Sequence, residues 1–400
     1  MKREKIFRYC VWGLVLAGCF IFLQSANRFN FLYSGQKHLT SLWSIPFAGA
    51  LSVAVLVTLS GILADFFLRK LIRGSKGRIS LTSGLAVIAL ATVFFSYKSS
   101  LGEKDLYKEL DWYMYQDRPD DIIRVLSKTS DNNYVYQNFL NWALARKGIL
   151  GDEMFKYSQT DPYSLILEWR EIEYTSLLLS NIYYEMGHIS LAQRMAFEAN
   201  VIFDNSNPRM LQRLIQTNLI FGQYDVAEKY IARLEKSCFY RKWATDQRKF
   251  LRNREMILQD PELGPKARCV PKDNNLAFSH NDLGWDLEEI LRANPYHTAT
   301  REYAGAHFLL AKNLQSFKDF LDEFMIGQPL SKSFKEAVLI LSEKEPELIG
   351  KWNIDQETLK RYSDFKEFYT KNSRRSDLRQ RLRSKFGDTY WLYYLYNQNK

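Results

Sequence analysis

Two stretches that lie thirty-five residues apart carry the same pattern of apolar and small residues. Residues 179–200 read LSNIYYEMGHISLAQRMAFEAN, and residues 214–235 read LIQTNLIFGQYDVAEKYIARLE. In each, a glycine separates two amphipathic stretches and an alanine follows five residues later; these positions are Gly187, Ala192, Gly222 and Ala227. Glycine accepts positive φ without steric cost and often ends a helix, so the pattern predicts two consecutive helical hairpins.

The two hairpins resemble the tetratricopeptide repeat, a unit of about 34 residues with small residues where its two helices cross. The small position of the first helix holds Ser180 in one unit and Ile215 in the other, so the second unit matches less closely. Degenerate hairpins are predicted at residues 105–128 with Pro119 opening the second helix, at Tyr134–Tyr157 turning at Gly148, and at 298–325 turning at Asn313. Because five or six such units form a stable array, the sequence predicts an all-α fold with a tetratricopeptide-like α-solenoid.

The part after residue 100 divides into three segments by composition. Residues 101–252 are predicted to form helical repeats. Residues 253–282 are rich in proline, glycine, asparagine and charge, which is typical of an irregular insertion of loops or short helices. Residues 283–400 resume the helical pattern and end in GDTYWLYYLYNQNK, whose aromatic density predicts a cap packed on the last helices.

Residues 1–100 contain three long apolar stretches, at about 6–26, 42–68 and 79–97. A helix needs about 20 apolar residues to cross the hydrocarbon layer of a bilayer, so each stretch is predicted to be a transmembrane helix. A bacterial lipobox ending at Cys19 and a cleaved signal peptide are alternatives. The apolar run continues past Cys19, and no small-residue cleavage site precedes Asn27, which favours the membrane span.

The basic residues of the N-terminal region indicate its orientation. Residues 1–100 hold twelve Lys/Arg against two acids, whereas the remaining 300 residues hold 43 of each. Four cations precede the first stretch, two lie between the first and second, and five lie between the second and third. Cytoplasmic loops carry the excess of Lys and Arg, so the N-terminus is predicted to be cytoplasmic and residues 98–400 periplasmic. This reading accounts for the basic pI without nucleic-acid binding.

The repeats, together with CFYRKWA at 238–244, ANPYHTATREYAGAHFLL at 293–310 and the aromatic ending, resemble an uncharacterised Bacteroidota membrane-protein family, the domain-of-unknown-function 6057 family. The resemblance covers most of residues 100–400. It implies a bacterial inner membrane and a periplasmic repeat domain, and it supplies no catalytic residues.

No catalytic, cofactor or metal motif is readable among the five histidines or elsewhere. His188, next to the turn glycine, is interpreted as a solvated helix-start residue. The cluster His280-Asn281-Asp282 is interpreted as a loop or helix cap, with a ligand site as the alternative. Asp65 is interpreted as the partner of Arg69 at the membrane interface, since the two lie four residues apart.

Two further features leave alternatives open. Cys238 and Cys269 lie in the predicted periplasmic part, where a disulfide between them is possible. The basic run RRSDLRQRLRSK at 374–385 is either a patch for nucleic acid or anionic lipid, or a solvated helix face. The neutral net charge of residues 101–400 favours the solvated face.

These observations predict a membrane-anchored periplasmic scaffold that binds a partner protein through a helical-repeat surface. The predicted partners are the lipid bilayer and an unidentified protein, without nucleic acid. The alternative is an accessory subunit of an envelope glycan-assembly enzyme or of a transporter. The nearly uncharged apolar stretches disfavour an embedded active site or transport pathway.

Overall fold

The computed structural model is all-helical, and no strand occurs among the residues it describes. The described residues are 2–26, 45–68, 80–91, 104–129, 133–169, 173–202, 207–237, 239–271 and 282–396.

The helices of the first half follow the predicted order. They are α1 (Lys2–Ala26), α2 (Ile45–Leu68), α3 (80–91), α4 (Lys104–Tyr115), α5 (Pro119–Leu126), α6 (Tyr134–Arg146), α7 (Leu150–Glu153), α8 (Glu173–Glu185), α9 (Ile189–Ile202), α10 (Pro208–Ile220) and α11 (Tyr224–Leu234). Short 3-10 turns occupy Met154–Lys156 and Pro162–Ser164.

The second half continues with shorter helices. They are α12 (Arg241–Gln247), α13 (Arg254–Gln259), α14 (Leu263–Arg268), α15 (Leu283–Ala293), α16 (Thr298–Leu310), α17 (Leu314–Phe324), α18 (Lys332–Leu341), α19 (Leu348–Lys351), α20 (Gln356–Asn372), α21 (Leu378–Phe386) and α22 (Tyr390–Tyr396), with a 3-10 turn at Arg248–Phe250. The predicted irregular insertion therefore contains two helices, α13 and α14, while its residues 272–281 lie outside the described residues.

The chain divides into two compact units. The N-terminal unit comprises Met1–Trp112, Asn200–Leu211 and Ile231–Asp246, and the repeat unit comprises Tyr113–Ala199, Gln212–Tyr230 and Gln247–Lys400.

In the N-terminal unit, α1 and α3 share a small apolar core with side chains of α2. Trp12, Val15 and Cys19 are buried against Ala86 and Ala89, and Val57 and Ile62 pack beside them. A Cβ at Gly61 would lie 2.2 Å from the Trp12 ring, so the indole occupies space that only glycine leaves open on α2.

Asp65 forms a hydrogen bond that the sequence did not indicate. Its side chain is fully buried, and its Oδ1 accepts a hydrogen bond of 2.8 Å from the Thr82 hydroxyl of α3. A buried carboxylate requires such a donor, so this bond joins α2 to α3. Its proposed partner Arg69 lies outside the described residues.

The apolar stretches do form helices at α1, α2 and α3, but the membrane prediction finds no support in them. Within the described part of the chain, no helix combines the length and apolar character that crossing a bilayer requires, and three transmembrane helices are therefore not supported.

After residue 100, helix ends follow local sequence signals. Pro119 is the first residue of α5 and Pro208 the first residue of α10, where a missing amide hydrogen costs nothing. Gly148, Gly187 and Gly222 each adopt positive φ in the turn after a helix. Asp282, the last residue of the predicted polar cluster, caps α15 by accepting the amide hydrogen of Trp285 at 3.2 Å; His280 and Asn281 lie outside the described residues.

The predicted turn at Asn313 is wrong by one residue. Lys312 adopts the positive φ of 56°, whereas Asn313 has a negative φ and caps α17 by accepting the amide hydrogen of Ser316. Asparagine is favoured both at left-handed positions and at helix N-caps, and here Asn313 occupies the N-cap position.

Helix α16 packs against helices that are far from it in sequence. It contacts α15 and α17, its neighbours, and also α6 and α7 near residue 150. Glu302 of α16 accepts the amide hydrogen of Gly151 at 2.5 Å, and Asp152 accepts that of Lys332 at 2.7 Å. In a linear solenoid each repeat touches only its neighbours, so the repeat unit differs from the predicted array by closing late helices onto early ones.

Candidate functional site

The predicted repeat positions lie in the interior of the repeat unit. Gly187 and Gly222 have φ of 83° and 73°. Ala192 and Ala227 are completely buried, and the Ser180 hydroxyl donates to the Ala192 carbonyl at 3.0 Å across the first hairpin. These residues shape helix crossings and leave no side chain available to a ligand.

A buried chain of polar groups joins the insertion helix α14 to two helix ends. Lys266 is 6% exposed, and its Nζ donates to the Glu185 carbonyl at 2.6 Å and lies 3.1 Å from Nε2 of His297. Nδ1 of His297 lies 2.7 Å from the Thr300 hydroxyl, which in turn lies 2.7 Å from the Met186 carbonyl. The chain thus connects α14, the end of α8 and the start of α16.

The Met186 carbonyl can only accept, so the Thr300 hydroxyl donates to it. Nδ1 of His297 also faces the amide hydrogen of Thr300 at 3.3 Å, so His297 caps the start of α16. Burial, followed by the charge of Lys266, lowers the pKa of His297 to about 2, so the ring is neutral at physiological pH. Burial also lowers the pKa of Lys266. The side chains of Lys266 and His297 therefore both form contacts that hold the helices together.

His188 is not solvated as the sequence suggested. It is fully buried, and its Nε2 lies 3.2 Å from a carboxylate oxygen of buried Asp286 on α15. Ninety-eight residues separate the two in sequence, so the histidine joins the first hairpin to α15.

Cys269 carries a free, buried thiol in the structure. Its Sγ lies 2.9 Å from the position that a Cβ on Gly187 would occupy, and burial raises the thiol pKa to about 11. Cys238 lies outside the described residues, so the pairing of these two cysteines stays a prediction.

A cavity of about 1040 Å³ in the repeat unit is the feature best suited to hold a ligand. It lies between the end of α5, one face of α6, the segment 155–160 and the helices α21 and α22. Pockets that take small molecules span about 300–1,000 Å³, so this one has room for a ligand of several rings.

Buried amides of α6 fix one wall of the cavity. Gln137 Nε2 donates to the Ser158 carbonyl at 3.1 Å and to the Thr160 hydroxyl at 3.2 Å. Asn141 and Gln159 exchange two amide hydrogen bonds of 3.0 and 3.1 Å. The segment 155–160 is therefore held in place before any ligand arrives, while Oε1 of Gln137 has no partner among the described residues.

The opposite wall carries cations. Arg379, Arg383 and Lys385 line the cavity from α21, are exposed, and form no ion pair with any described residue. The Arg379 guanidinium lies 5.6 Å from the ring centre of Tyr396, and the Lys385 ammonium lies 4.6 Å from that of Phe368. These contacts orient the two cations without neutralising them.

The one carboxylate among the lining residues is already neutralised. Asp388 accepts from Lys332 and Arg361, each at 2.5 Å. Burial acts to raise the pKa of Asp388, but these two hydrogen bonds outweigh it and the pKa is lowered. A fourth lining cation, Lys156, pairs with Glu153 at 2.7 Å. The cavity therefore presents a surplus of positive charge.

The sequence indicated only part of this site. The spacing of Arg379 and Arg383 placed them on one helix face, away from the buried Leu378 and Leu382. What faces them comes from residues 126–160, which no local pattern connects to residue 380. The QNFLN stretch at 137–141, with three buried amides, was a readable signal, because such amides need partners.

Over the described residues, fold and cavity together define an all-helical protein with a cationic, tyrosine-lined cavity. The model of the Family of unknown function (DUF6057) matches residues 100–397 of the chain. The chain belongs to this family, as the resemblance in its repeats and aromatic ending suggested. No curated protein and no solved structure matches the chain.

Proposed function

We propose that this protein is a membrane-anchored periplasmic scaffold whose repeat unit binds a partner protein. The observation that carries the proposal is an exposed apolar surface at one end of two helices, formed by Tyr296 and Ile326. The proposed role is non-enzymatic.

Tyr296 and Ile326 are 77% and 69% exposed, respectively. Arg292, near the end of α15, forms two hydrogen bonds of 2.8 and 3.1 Å with Glu323, near the end of α17. The two helices therefore end side by side, and Tyr296 and Ile326 follow those ends. Two large apolar side chains exposed at neighbouring helix ends favour a protein interface, where aromatic anchors supply most of the binding energy.

Membrane anchoring is supported by the outer surface of the N-terminal unit. Leu14 of α1, Leu56 of α2 and Val87 of α3 are between 66% and 72% exposed. All three helices thus present large aliphatic side chains on their outer surface. An apolar exterior of this kind favours lipid as its surroundings, and the basic loops favour a cytoplasmic N-terminus with residues 98–400 in the periplasm of a bacterial inner membrane.

The non-enzymatic role is supported by the burial of the ionisable groups that are best suited to acid–base chemistry. These groups form hydrogen bonds that join helices; they are Lys266, His297 and His188. Side chains in such positions stabilise the packing of the helices and are not accessible to a substrate.

Reporter fusions test the anchoring. Alkaline phosphatase, which is active only in the periplasm, should be active when fused after Ser100 and inactive when fused after Arg73. The basic loop between the second and third apolar stretches is the reason for the difference. The reverse pattern would place the repeat unit in the cytoplasm, and release of the full chain by alkaline carbonate would show that the anchor does not exist.

Photo-crosslinking in intact cells tests the partner surface. A photoreactive amino acid at Ile326 should give a discrete adduct, and Tyr296→Ser should abolish it. The matched control is the same photoreactive amino acid at Lys360, an exposed polar position of α20. Equal adducts at Ile326 and Lys360, or none at either, would refute the proposed surface.

A further inference from the structure

The cavity of the repeat unit is lined by two sets of side chains, and neither set is typical of a surface that is formed only by packing. One wall holds Arg379, Arg383 and Lys385 without a carboxylate partner, as described above. The facing wall holds tyrosine rings together with the amide and hydroxyl groups of the segment 155–160. In a tightly packed interior, by contrast, cations are paired with carboxylates or the space between side chains is filled by apolar groups.

The two arginines suit an anion with two neighbouring oxygens. Arg379 and Arg383 are four residues apart on α21, so their side chains emerge from the same face about 5–6 Å apart. A guanidinium presents its donors in a rigid fork that matches the two oxygens of a carboxylate or phosphate. Since the only lining carboxylate, Asp388, is held by Lys332 and Arg361, it does not compete for these donors.

The tyrosines suit a ring-shaped ligand that is itself polar. Tyr136, Tyr157 and Tyr396 line the cavity and are each half-buried, so one part of each ring is fixed and another is accessible. The flat apolar face of a tyrosine ring complements the C–H face of a sugar ring. Hydroxyl and amide groups between the rings, including the buried Gln137 with an unpartnered Oε1, suit the hydroxyls of the same ligand.

We propose that this cavity binds an anionic saccharide. Arg379 and Arg383 hold its carboxylate or phosphate, and Tyr136, Tyr157 and Tyr396 hold its ring faces. The inference goes beyond the scaffold function and does not depend on it, because the proposed partner surface at Tyr296 and Ile326 shares no residue with the cavity.

Isothermal titration calorimetry of the purified full-length chain tests the inference with four probes. They are a tetrasaccharide of alternating glucuronate and N-acetylglucosamine, a neutral N-acetylglucosamine tetrasaccharide, glucose 1-phosphate, and inorganic phosphate. We expect the charged tetrasaccharide or the sugar phosphate to bind, and the stronger of the two identifies the anionic group. The neutral tetrasaccharide and inorganic phosphate should bind at least about tenfold more weakly.

Matched variants separate a local site from a general charge effect. The double variant Arg379→Gln/Arg383→Gln should weaken binding at least about tenfold, since it removes two charge-assisted donors. The control double variant Arg374→Gln/Arg381→Gln lowers the net charge equally but changes residues that do not line the cavity; it should leave binding within about twofold. All four arginines are exposed, so the variants should fold.

A third variant, Tyr157→Ala, tests the aromatic wall. It should weaken saccharide binding while leaving the melting temperature nearly unchanged. Equal binding of neutral and charged tetrasaccharides would overturn the role of the arginines. Binding of inorganic phosphate as tight as that of the saccharides, with no effect of Tyr157→Ala, would overturn the saccharide. Absence of binding to all four probes would overturn the inference as a whole.

Discussion

Replacing Gly305 by alanine tests how closely the Phe334 ring of α18 packs against the backbone of α16. A Cβ at Gly305 would lie 2.0 Å from Cζ and 2.6 Å from Cε1 of Phe334, whereas ordinary contacts begin at 3.4 Å. The Phe334 ring is 1% exposed, and Phe317 meets it edge-on with ring centres 5.3 Å apart. The ring cannot turn aside, so the added methyl group must push the helices apart by more than an ångström.

Two opposing contributions determine the size of the effect. Alanine is favoured over glycine inside a helix by about 1 kcal/mol. Overpacking a rigid core costs about 1–3 kcal/mol, and an overlap with a confined ring belongs at the upper end. We therefore expect Gly305→Ala to lower the free energy of unfolding by about 1–2 kcal/mol. For a unit of this size that corresponds to a melting temperature lower by roughly 2–8 °C.

The matched control is Gly350→Ala in α19. Gly350 has no atom within 4 Å of the added Cβ, so it should be neutral or raise the free energy of unfolding by up to about 1 kcal/mol. Thermal unfolding of the full-length chain, followed by far-ultraviolet circular dichroism, measures both variants.

A double-mutant cycle identifies the partner ring. In a Phe334→Leu background, Gly305→Ala should cost little, giving a coupling of about 0.5–3 kcal/mol between the two positions. If Gly305→Ala behaves like Gly350→Ala, or if its cost is unchanged in the Phe334→Leu background, the Phe334 ring does not pack against Gly305 as described.

Three further predictions concern burial. The pKa of Glu336 is raised to about 7, mainly by burial, so its contribution to stability is fully present below the ordinary pKa of 4.5 and is lost as pH rises through about 7; the melting temperature of the wild type should therefore be lower at pH 8 than at pH 5, and this difference should be smaller in Glu336→Gln. Ala227→Leu should destabilise by about 1–3 kcal/mol in chemical denaturation, whereas Lys229→Ala on the exposed face should change stability by less than about 0.5 kcal/mol; equal effects would show that the helix face is misassigned. Cys269 should resist alkylation at pH 8 in the native chain and react after denaturation without reductant; a requirement for reductant would instead reveal the predicted bridge to Cys238.

The parts of the fold that the sequence predicted correctly are those that local chemistry determines. Pro119 and Pro208 open helices because proline has no amide hydrogen to leave unpaired, and Gly187 and Gly222 end them because glycine accepts positive φ. Each of these choices involves a few neighbouring residues, so the printed sequence contains all the information needed.

The parts that sequence reasoning missed depend on residues far apart in the chain. His188 was interpreted as solvated because its partner, Asp286, lies ninety-eight residues away. Likewise, the contact of Gly151 with Glu302 spans 151 residues, and no periodicity within one hairpin indicates it. Burial of a polar side chain becomes predictable only when the group that satisfies it is known.

The candidate site illustrates the same division between local and distant information. Arg379 and Arg383 were correctly placed on one exposed helix face, which by itself favours simple solvation. The interpretation changes because Tyr136, Gln137 and Tyr157 lie across a cavity from that face. A basic helix face in solvent and a basic helix face that lines a cavity therefore have the same sequence pattern.

Helix α22 explains how that cavity is held together. Its Trp391 Nε1 donates to the Glu336 carbonyl at 2.9 Å, and the Tyr393 hydroxyl donates to the Leu310 carbonyl at 2.8 Å. Phe155, the first residue of the segment 155–160, packs against the Tyr393 ring with ring centres 5.1 Å apart. The aromatic ending is therefore more than a cap on the last helices, because it also contacts the segment near residue 155. Since Tyr393 and Tyr396 of the same helix line the cavity, the shape of the cavity depends on the docking of α22.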